Sequence, residues 1–208
     1  MKKIKELIIK NYKWIIFFLF FVIFLAIAED VFEQEIFEFD SVVYNFLVNN
    51  RNEALNNFFK IITQFGSAIV LIIITILCVI FIRDKKYKIL VPANLVTIAI
   101  INIVLKNFFL RPRPDELRLI EETGYSFPSG HAMASTAFYG LLIYIVHEKV
   151  ENKILRNTIC IMLGLLILLI SISRIYVGVH YTSDVIAGTC FSIAYLILIT
   201  RLIKSQND

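Results

Sequence analysis

The chain has 208 residues, 58% of them hydrophobic and 18% charged, with a formal net charge of +4. A soluble globular domain is nearer half apolar and a quarter charged, so the surplus argues against a water-soluble enzyme and for one membrane-embedded domain over residues 1–208. The positive charge does not point to nucleic acid, because the lysines cluster beside apolar runs as topology signals do.

Six apolar stretches predict an all-α, six-transmembrane-helix bundle: Trp14–Ala28, Ile61–Ile82, Ile89–Leu105, Ala132–Val146, Ile154–Ile172 and Val185–Ile203. Most approach the roughly 20 residues that cross a bilayer. The first has a lysine-rich start and an Ala26-Ile27-Ala28 end, as a secretory signal has. Its bulky phenylalanines favour a retained span. Residues 36–47, IFEFDSVVYNFL, bring Ile36, Phe39, Val43, Phe46 and Leu47 round at helical spacing. That pattern predicts a short interfacial helix between spans one and two, or ordinary packing against the spans. Cys78, Cys160 and Cys190 each lie inside an apolar run, and an odd number there argues against a disulfide framework or a metal cage.

Lysine placement orients the bundle. Lys2, Lys3, Lys5, Lys10 and Lys13 precede span one; Lys85, Lys86 and Lys88 separate spans two and three. Lys149, Lys153 and Arg156 separate spans four and five, and Arg201 and Lys204 close the chain. By the positive-inside rule these segments and both termini are cytoplasmic. The loop with Glu29, Asp30, Glu33, Glu35, Glu38 and Asp40 is outside. Alternation also places Lys106, Arg111, Arg113, Arg118 and Arg174 outside, against the rule. Basic residues on the translocated side need another reason, and holding an anion is one.

Three polar clusters share that outer face. In KNFFLRPRPDELR, Lys106 ends span three and Pro112 and Pro114 stop the helix, leaving Arg113 in a loop. Lysine offers a point charge and arginine a planar fork suited to phosphate oxygens, although interface snorkelling explains this pair equally well on its own. In GYSFPSGHAMAST, Pro128 ends a loop and Ser129 is a good N-cap. The N–H groups of Ser129, Gly130 and His131 then face out of a helix N-terminus, which attracts anions, and His131 can exchange a proton near neutral pH. Read alone, this is as compatible with a plain cap. In SRIYVGVHYTSD, Arg174 ends span five, and His180 and Asp184 lie four residues apart. On a helical turn they share a face. A carboxylate on one ring nitrogen would fix the tautomer and leave the other nitrogen to attack, or the pair is a structural hydrogen bond. Together the clusters bring charge clamps, a nucleophile and a proton donor to one place, which suits phosphoryl transfer.

Lys106-x6-Arg113-Pro114, Pro128-Ser129-Gly130-His131 and Ser173-Arg174-x5-His180-x3-Asp184 resemble, in order and spacing, the three signatures of the type 2 phosphatidic-acid phosphatase family. The resemblance implies that His180 attacks phosphorus and forms a phosphohistidine, oriented by Asp184. His131 would protonate the leaving oxygen and then activate water. Lys106, Arg113 and Arg174 would bind phosphate oxygens, with Ser129 and Gly130 adding hydrogen bonds. No metal or other cofactor is implied, and Arg111 lies outside the matched positions. The implied partners are a lipid phosphate and the bilayer, with no obligatory protein partner and no nucleic acid. The expectation is a multi-pass cell-membrane lipid phosphatase with an extracytoplasmic active site and a lateral opening between helices. Undecaprenyl pyrophosphate and phosphatidylglycerol phosphate lead the candidate substrates, ahead of phosphatidic acid and diacylglycerol pyrophosphate. An anion transporter is disfavoured because the charges sit at one face and not at the midplane. A non-catalytic lipid-binding protein would not need both histidines. A metal hydrolase using His131, His180 and Asp184 is the remaining alternative.

Overall fold

The computed structural model describes residues 2–34, 37–114 and 117–205, and every regular element in them is an α-helix. In chain order these are α1 (Lys2–Phe32), α2 (Glu38–Asn49), α3 (Glu53–Gln64), α4 (Ala68–Phe81), α5 (Lys85–Phe109), α6 (Gly130–Lys149), α7 (Lys153–Tyr176) and α8 (Thr182–Ser205). Local chemistry sets most of the starts: Asn52, Ser67, Asp84, Ser129 and Asn152 each accept a hydrogen bond from an N–H of the following first turn. At its C-terminus α5 stops at Leu110, which takes a left-handed conformation (φ 52°) just before Pro112 and Pro114.

Four of the described helices are long and apolar enough to cross a membrane, over Asn11–Phe32, Lys85–Phe109, Lys153–Tyr176 and Thr182–Ile203. Their outward side chains, among them Leu25, Ile103, Val104, Leu165 and Leu168, are exposed as a lipid-facing surface requires. The expected second span differs from a straight helix. It starts earlier, at Glu53, and is broken into α3 and α4 with a bend of 49°, so that the pair would make a fifth span. Gly66 lies in that break. A Cβ there would come within 2.7 Å of Ile170 Cγ2 and 3.0 Å of His131 Cδ2. The bend therefore seats the chain directly against α7 and the start of α6.

The expected fourth span, α6, fails the test of composition because it is not a lipid-facing helix. It packs against α5, α7 and α8, and Met133, Ser135, Thr136, Ala137, Phe138 and Tyr139 are all buried. Polar side chains are tolerated where neighbouring helices supply their partners. Tyr139 Oη donates to Phe65 O (2.7 Å), and the α6 backbone accepts from Asn94 Nδ2 at Ala137 O (3.1 Å) and from Ser192 Oγ at Met133 O (3.0 Å).

Helix α2 matches the helical spacing read from residues 36–47, with Ile36 outside the described residues. Its apolar side chains divide into two strips. Val43 and Leu47 pack on Ala132, Ile175 and Val185, whereas Phe39, Val42 and Phe46 are exposed. Asp40, in the same helix, is buried.

Gly66→Val is expected to destabilise the fold by about 1–3 kcal/mol, the usual cost of overpacking. A thermal midpoint in detergent equal to that of the wild type would show that the α3–α4 break has slack.

Candidate active site

The C-termini of α5 and α7 and the N-termini of α6 and α8 bring the three sequence clusters to one end of the helical assembly. Lys106 lies in the last turn of α5, His131 in the first turn of α6, Arg174 in the last turn of α7, and Asp184 in the first turn of α8. His180 sits in the short connection between α7 and α8, and the loop segments 110–114 and 117–129 lie against the group. These segments are fastened by Leu119 N–H to Val177 O (2.9 Å) and Ser126 N–H to Arg111 O (2.8 Å).

His180 is 1% exposed and Asp184 is fully buried. Nδ1 of His180 lies 3.3 Å from Asp184 Oδ2 and 3.3 Å from Ser126 Oγ, while Arg113 Nη1 lies 3.0 Å from Nε2. A guanidinium can only donate, so Nε2 accepts and Nδ1 carries the hydrogen. The imidazole is thus held as the tautomer whose Nε2 lone pair faces the cations. Burial, reinforced by the charges of Arg174, Lys106 and Arg113, pushes the His180 pKa well below the usual 6.5. Asp184 Oδ2 also accepts from Tyr181 N–H (2.9 Å) and from Ser126 Oγ.

The cations form a cup. Arg174 is 1% exposed; its Nη1 donates to Thr63 Oγ1 (2.7 Å) and its Nη2 to Glu122 Oε1 (2.5 Å). Arg174 Nε finds no acceptor among the described residues. Arg113 lies 3.9 Å from the other Glu122 oxygen, and anchors itself on Val179 O, Thr123 O and Gly124 O at 2.9, 3.1 and 3.0 Å. Lys106 Nζ donates to Tyr125 O and, at 3.2 Å, to Ser126 O. One carboxylate, that of Glu122, therefore lies between the two guanidinium groups. His131 is within electrostatic reach of Arg174, His180, Arg113 and Lys106, so both imidazoles belong to the same group.

Ser129 and Gly130 play a more structural part here than anion binding alone would demand. Ser129 Oγ caps Ala132 N–H (3.5 Å), and its own N–H donates to Asp184 O (3.1 Å), tying the start of α6 to the start of α8. A Cβ on Gly130 would lie 2.9 Å from Asn102 Oδ1, so any larger residue there would have to push the Asn102 side chain of α5 aside.

Sequence reading did not single out Glu122, Ser126, Thr63 or Asp40, and left Arg111 without a role. Each reaches the site over a long stretch of chain. None carried a distinguishing local signal: Glu122 is one of four acidic residues, with Asp115, Glu116 and Glu121, among the three arginines of that stretch. Among the described residues, no three of His, Cys, Asp and Glu converge as metal ligands.

An unfolded chain takes up a proton on His180 as pH falls through about 6.5, whereas the buried imidazole resists it, so native stability is lost on acidification through that window. The thermal midpoint in detergent is therefore expected to fall more between about pH 7.5 and 5.5 for the wild type than for His180→Gln. Equal falls would mean that the folded protein accommodates the charged ring.

Residues 87–208 match the model of the PAP2 superfamily. Phosphatidylglycerophosphatase B of Bacillus subtilis (strain 168) is 31% identical over 202 residues, spanning 95% of this chain and 96% of the relative. An undecaprenyl-diphosphatase of Sulfolobus acidocaldarius is 32% identical over 186 residues, 86% of this chain and 85% of the relative. The crystal structure of a transmembrane PAP2-type phosphatidylglycerolphosphate phosphatase from Bacillus subtilis superposes with a TM-score of 0.80, at 25% identity, covering 94% of this chain and 97% of that one. With the apolar helices and the cationic cup, these likenesses establish that the chain belongs to the PAP2 superfamily, as a multi-pass membrane lipid phosphatase.

Proposed function

We propose that this phosphatase works as one unit, removing the terminal phosphate of a lipid phosphate or pyrophosphate through a phosphohistidine on His180. The observation that carries this reading is the double engagement of Arg113, 3.0 Å from His180 Nε2 and 3.9 Å from Glu122, whose carboxylate also bonds Arg174. An anion held there lies beside the nitrogen that would attack it.

The incoming phosphoryl group displaces Glu122 and takes the hydrogen bonds of Arg174, Arg113 and Lys106; the unpartnered Arg174 Nε supplies a further donor. As Arg113 turns to a phosphoryl oxygen, the Nε2 lone pair of His180 is released and forms the N–P bond. The P–O bond to the lipid breaks, and His131 gives its proton to the departing oxygen. His131 then takes a proton from water, whose oxygen attacks phosphorus. The P–N bond breaks and inorganic phosphate leaves. Asp184 holds the His180 Nδ1–H throughout, which steadies the ring and the positive charge it acquires. Ser129 and Gly130 hold the first turn of α6 open to the phosphoryl oxygens.

The lysine distribution supports a six-span arrangement in the cell membrane, with α3–α4 as one bent span and α6 as an enclosed one. Both termini are then cytoplasmic, the site is extracytoplasmic, and α2 lies at the outer interface. Lipid and bilayer are the partners. The activities named for the relatives support phosphatidylglycerol phosphate and undecaprenyl pyrophosphate as the leading substrates.

The test is phosphate release by detergent-purified protein from each of these two lipids, from phosphatidic acid and from diacylglycerol pyrophosphate. Release is expected with and without EDTA, and vanadate should inhibit it; loss with EDTA would restore the metal-hydrolase reading. His180→Ala should abolish turnover in a folded protein, and retained turnover would remove His180 as nucleophile. Arg174→Lys should lower kcat by about 100-fold or more, the cost of losing an aligned donor to transition-state charge. A near-normal rate would reduce Arg174 to a residue that only fills space between helices.

A further inference from the structure

Arg111 belongs to none of the three motifs, yet it is held on every side. Nη1 donates to Asp184 Oδ1 (2.6 Å) and Ser183 Oγ (2.7 Å), and Nη2 donates to Asp40 Oδ2 (3.2 Å). Its guanidinium carbon stacks 4.2 Å from the Tyr181 ring centroid and 5.9 Å from that of Phe37. Asp40 is 3% exposed and makes two further bonds, from Ser183 N–H to Oδ1 (2.7 Å) and from Ser183 Oγ to Oδ2 (2.6 Å). Two buried carboxylates from distant parts of the chain therefore share one guanidinium, and the hydroxyl beside Asp184 completes the bridge.

Burying a carboxylate away from solvent is costly unless a cation and hydrogen bonds compensate it. For Asp184 the compensation is divided by oxygen: Oδ2 serves His180, Ser126 and Tyr181, while Oδ1 serves Arg111. Arg111 thus fixes the carboxylate's rotation from the side opposite the imidazole. Asp40 in turn fixes Arg111. It projects from α2, whose Val43 and Leu47 rest on Ala132, Ile175 and Val185, the sequence neighbours of His131, Arg174 and Asp184.

We propose that Asp40 and Arg111 are positioning residues that hold Asp184 in register with His180, so that α2 is a working part of the catalytic dyad. This rests on the phosphohistidine reading. A planar fork suits this place because its two Nη atoms, held apart on a rigid plane, meet Asp184, Ser183 and Asp40 at once, a span that a single ammonium nitrogen on a flexible stem does not reproduce. The rival role is direct contact with substrate, because Arg111 and Asp40 also border a cavity of about 870 Å³ walled by Val31, Phe32, Phe108 and Tyr181.

The experiment measures kcat and KM of the purified full chain on phosphatidylglycerol phosphate in detergent micelles, with thermal midpoints as the check on folding. Arg111→Lys and Asp40→Asn are each expected to lower kcat by about 100-fold, the scale of a misplacement near 1 Å in a reacting group, with KM unchanged. The double variant should be no slower than Arg111→Lys alone, because both changes break one chain of contacts. If Arg111→Lys does not fold, the isosteric Asp40→Asn decides the matter by itself. Wild-type kcat in a folded Asp40→Asn would overturn the proposal. So would a raised KM at constant kcat, which would make Arg111 a head-group contact, or additive losses, which would make the two residues independent. Failure of the underlying mechanism is separable: His180→Ala would then keep turnover, whereas failure of the relay alone leaves His180 essential.

Discussion

Cations kept out of water need an anion at contact distance, and one end of this helical assembly is organised around that need. Arg174 is almost wholly buried, and Arg113 and Lys106 stand beside it. In the protein's resting arrangement Glu122 meets the need, with the loop carbonyls of residues 123–126 supplying the remaining acceptors. A doubly charged phosphoryl group with several oxygens satisfies the same donors more fully than one carboxylate does. Under the proposed function, discrimination for phosphate would follow from the same need, with the Glu122 contact given up as phosphate binds and keeping the cup assembled in its absence.

The second organising element is the separation of charges around Asp184. Arg113 lies on the Nε2 side of His180, while Arg111 lies on the far side of the carboxylate. The imidazole sits between two cationic zones with the carboxylate on one side only. Under the proposed phosphohistidine mechanism, such an arrangement would favour a neutral ring before attack and give a local counter-charge once the ring has bonded to phosphorus.

The helical class, the gathering of the motifs at one end of the assembly and the pairing of His180 with Asp184 were legible because each rests on local pattern: apolar run length, motif position at the span ends, and an i,i+4 spacing on the turn that opens α8. The break between α3 and α4 was not legible, since Phe65-Gly66-Ser67 reads as a tolerable interruption until Ile170 and His131 are known to press against it. Nor could Asp40 be found. It lies 71 residues from Arg111 and 143 from Ser183 in sequence, and in a run of surface acids it looks like another solvated charge. Glu122 was hidden for the same reason. Gly130, read from the sequence as a place of close backbone approach, has Asn102 of α5 as its close neighbour.

The enclosure of α6 bears on how such a chain is made. A helix with Ser135, Thr136 and Tyr139 buried along its length has little to gain from hydrocarbon by itself. The Tyr139 hydroxyl is answered by Phe65 at the α3–α4 break and two α6 carbonyls by Asn94 of α5 and Ser192 of α8, while Ser135 Oγ bonds Ala132 O within α6 and Thr136 Oγ1 meets no acceptor or donor among the described residues. Partitioning of this segment during biosynthesis is then a collective event. The segment that bears His131 finds its polar partners both in chain already made, at Phe65 and Asn94, and in α8 still to come, so its full enclosure requires the completed helical assembly.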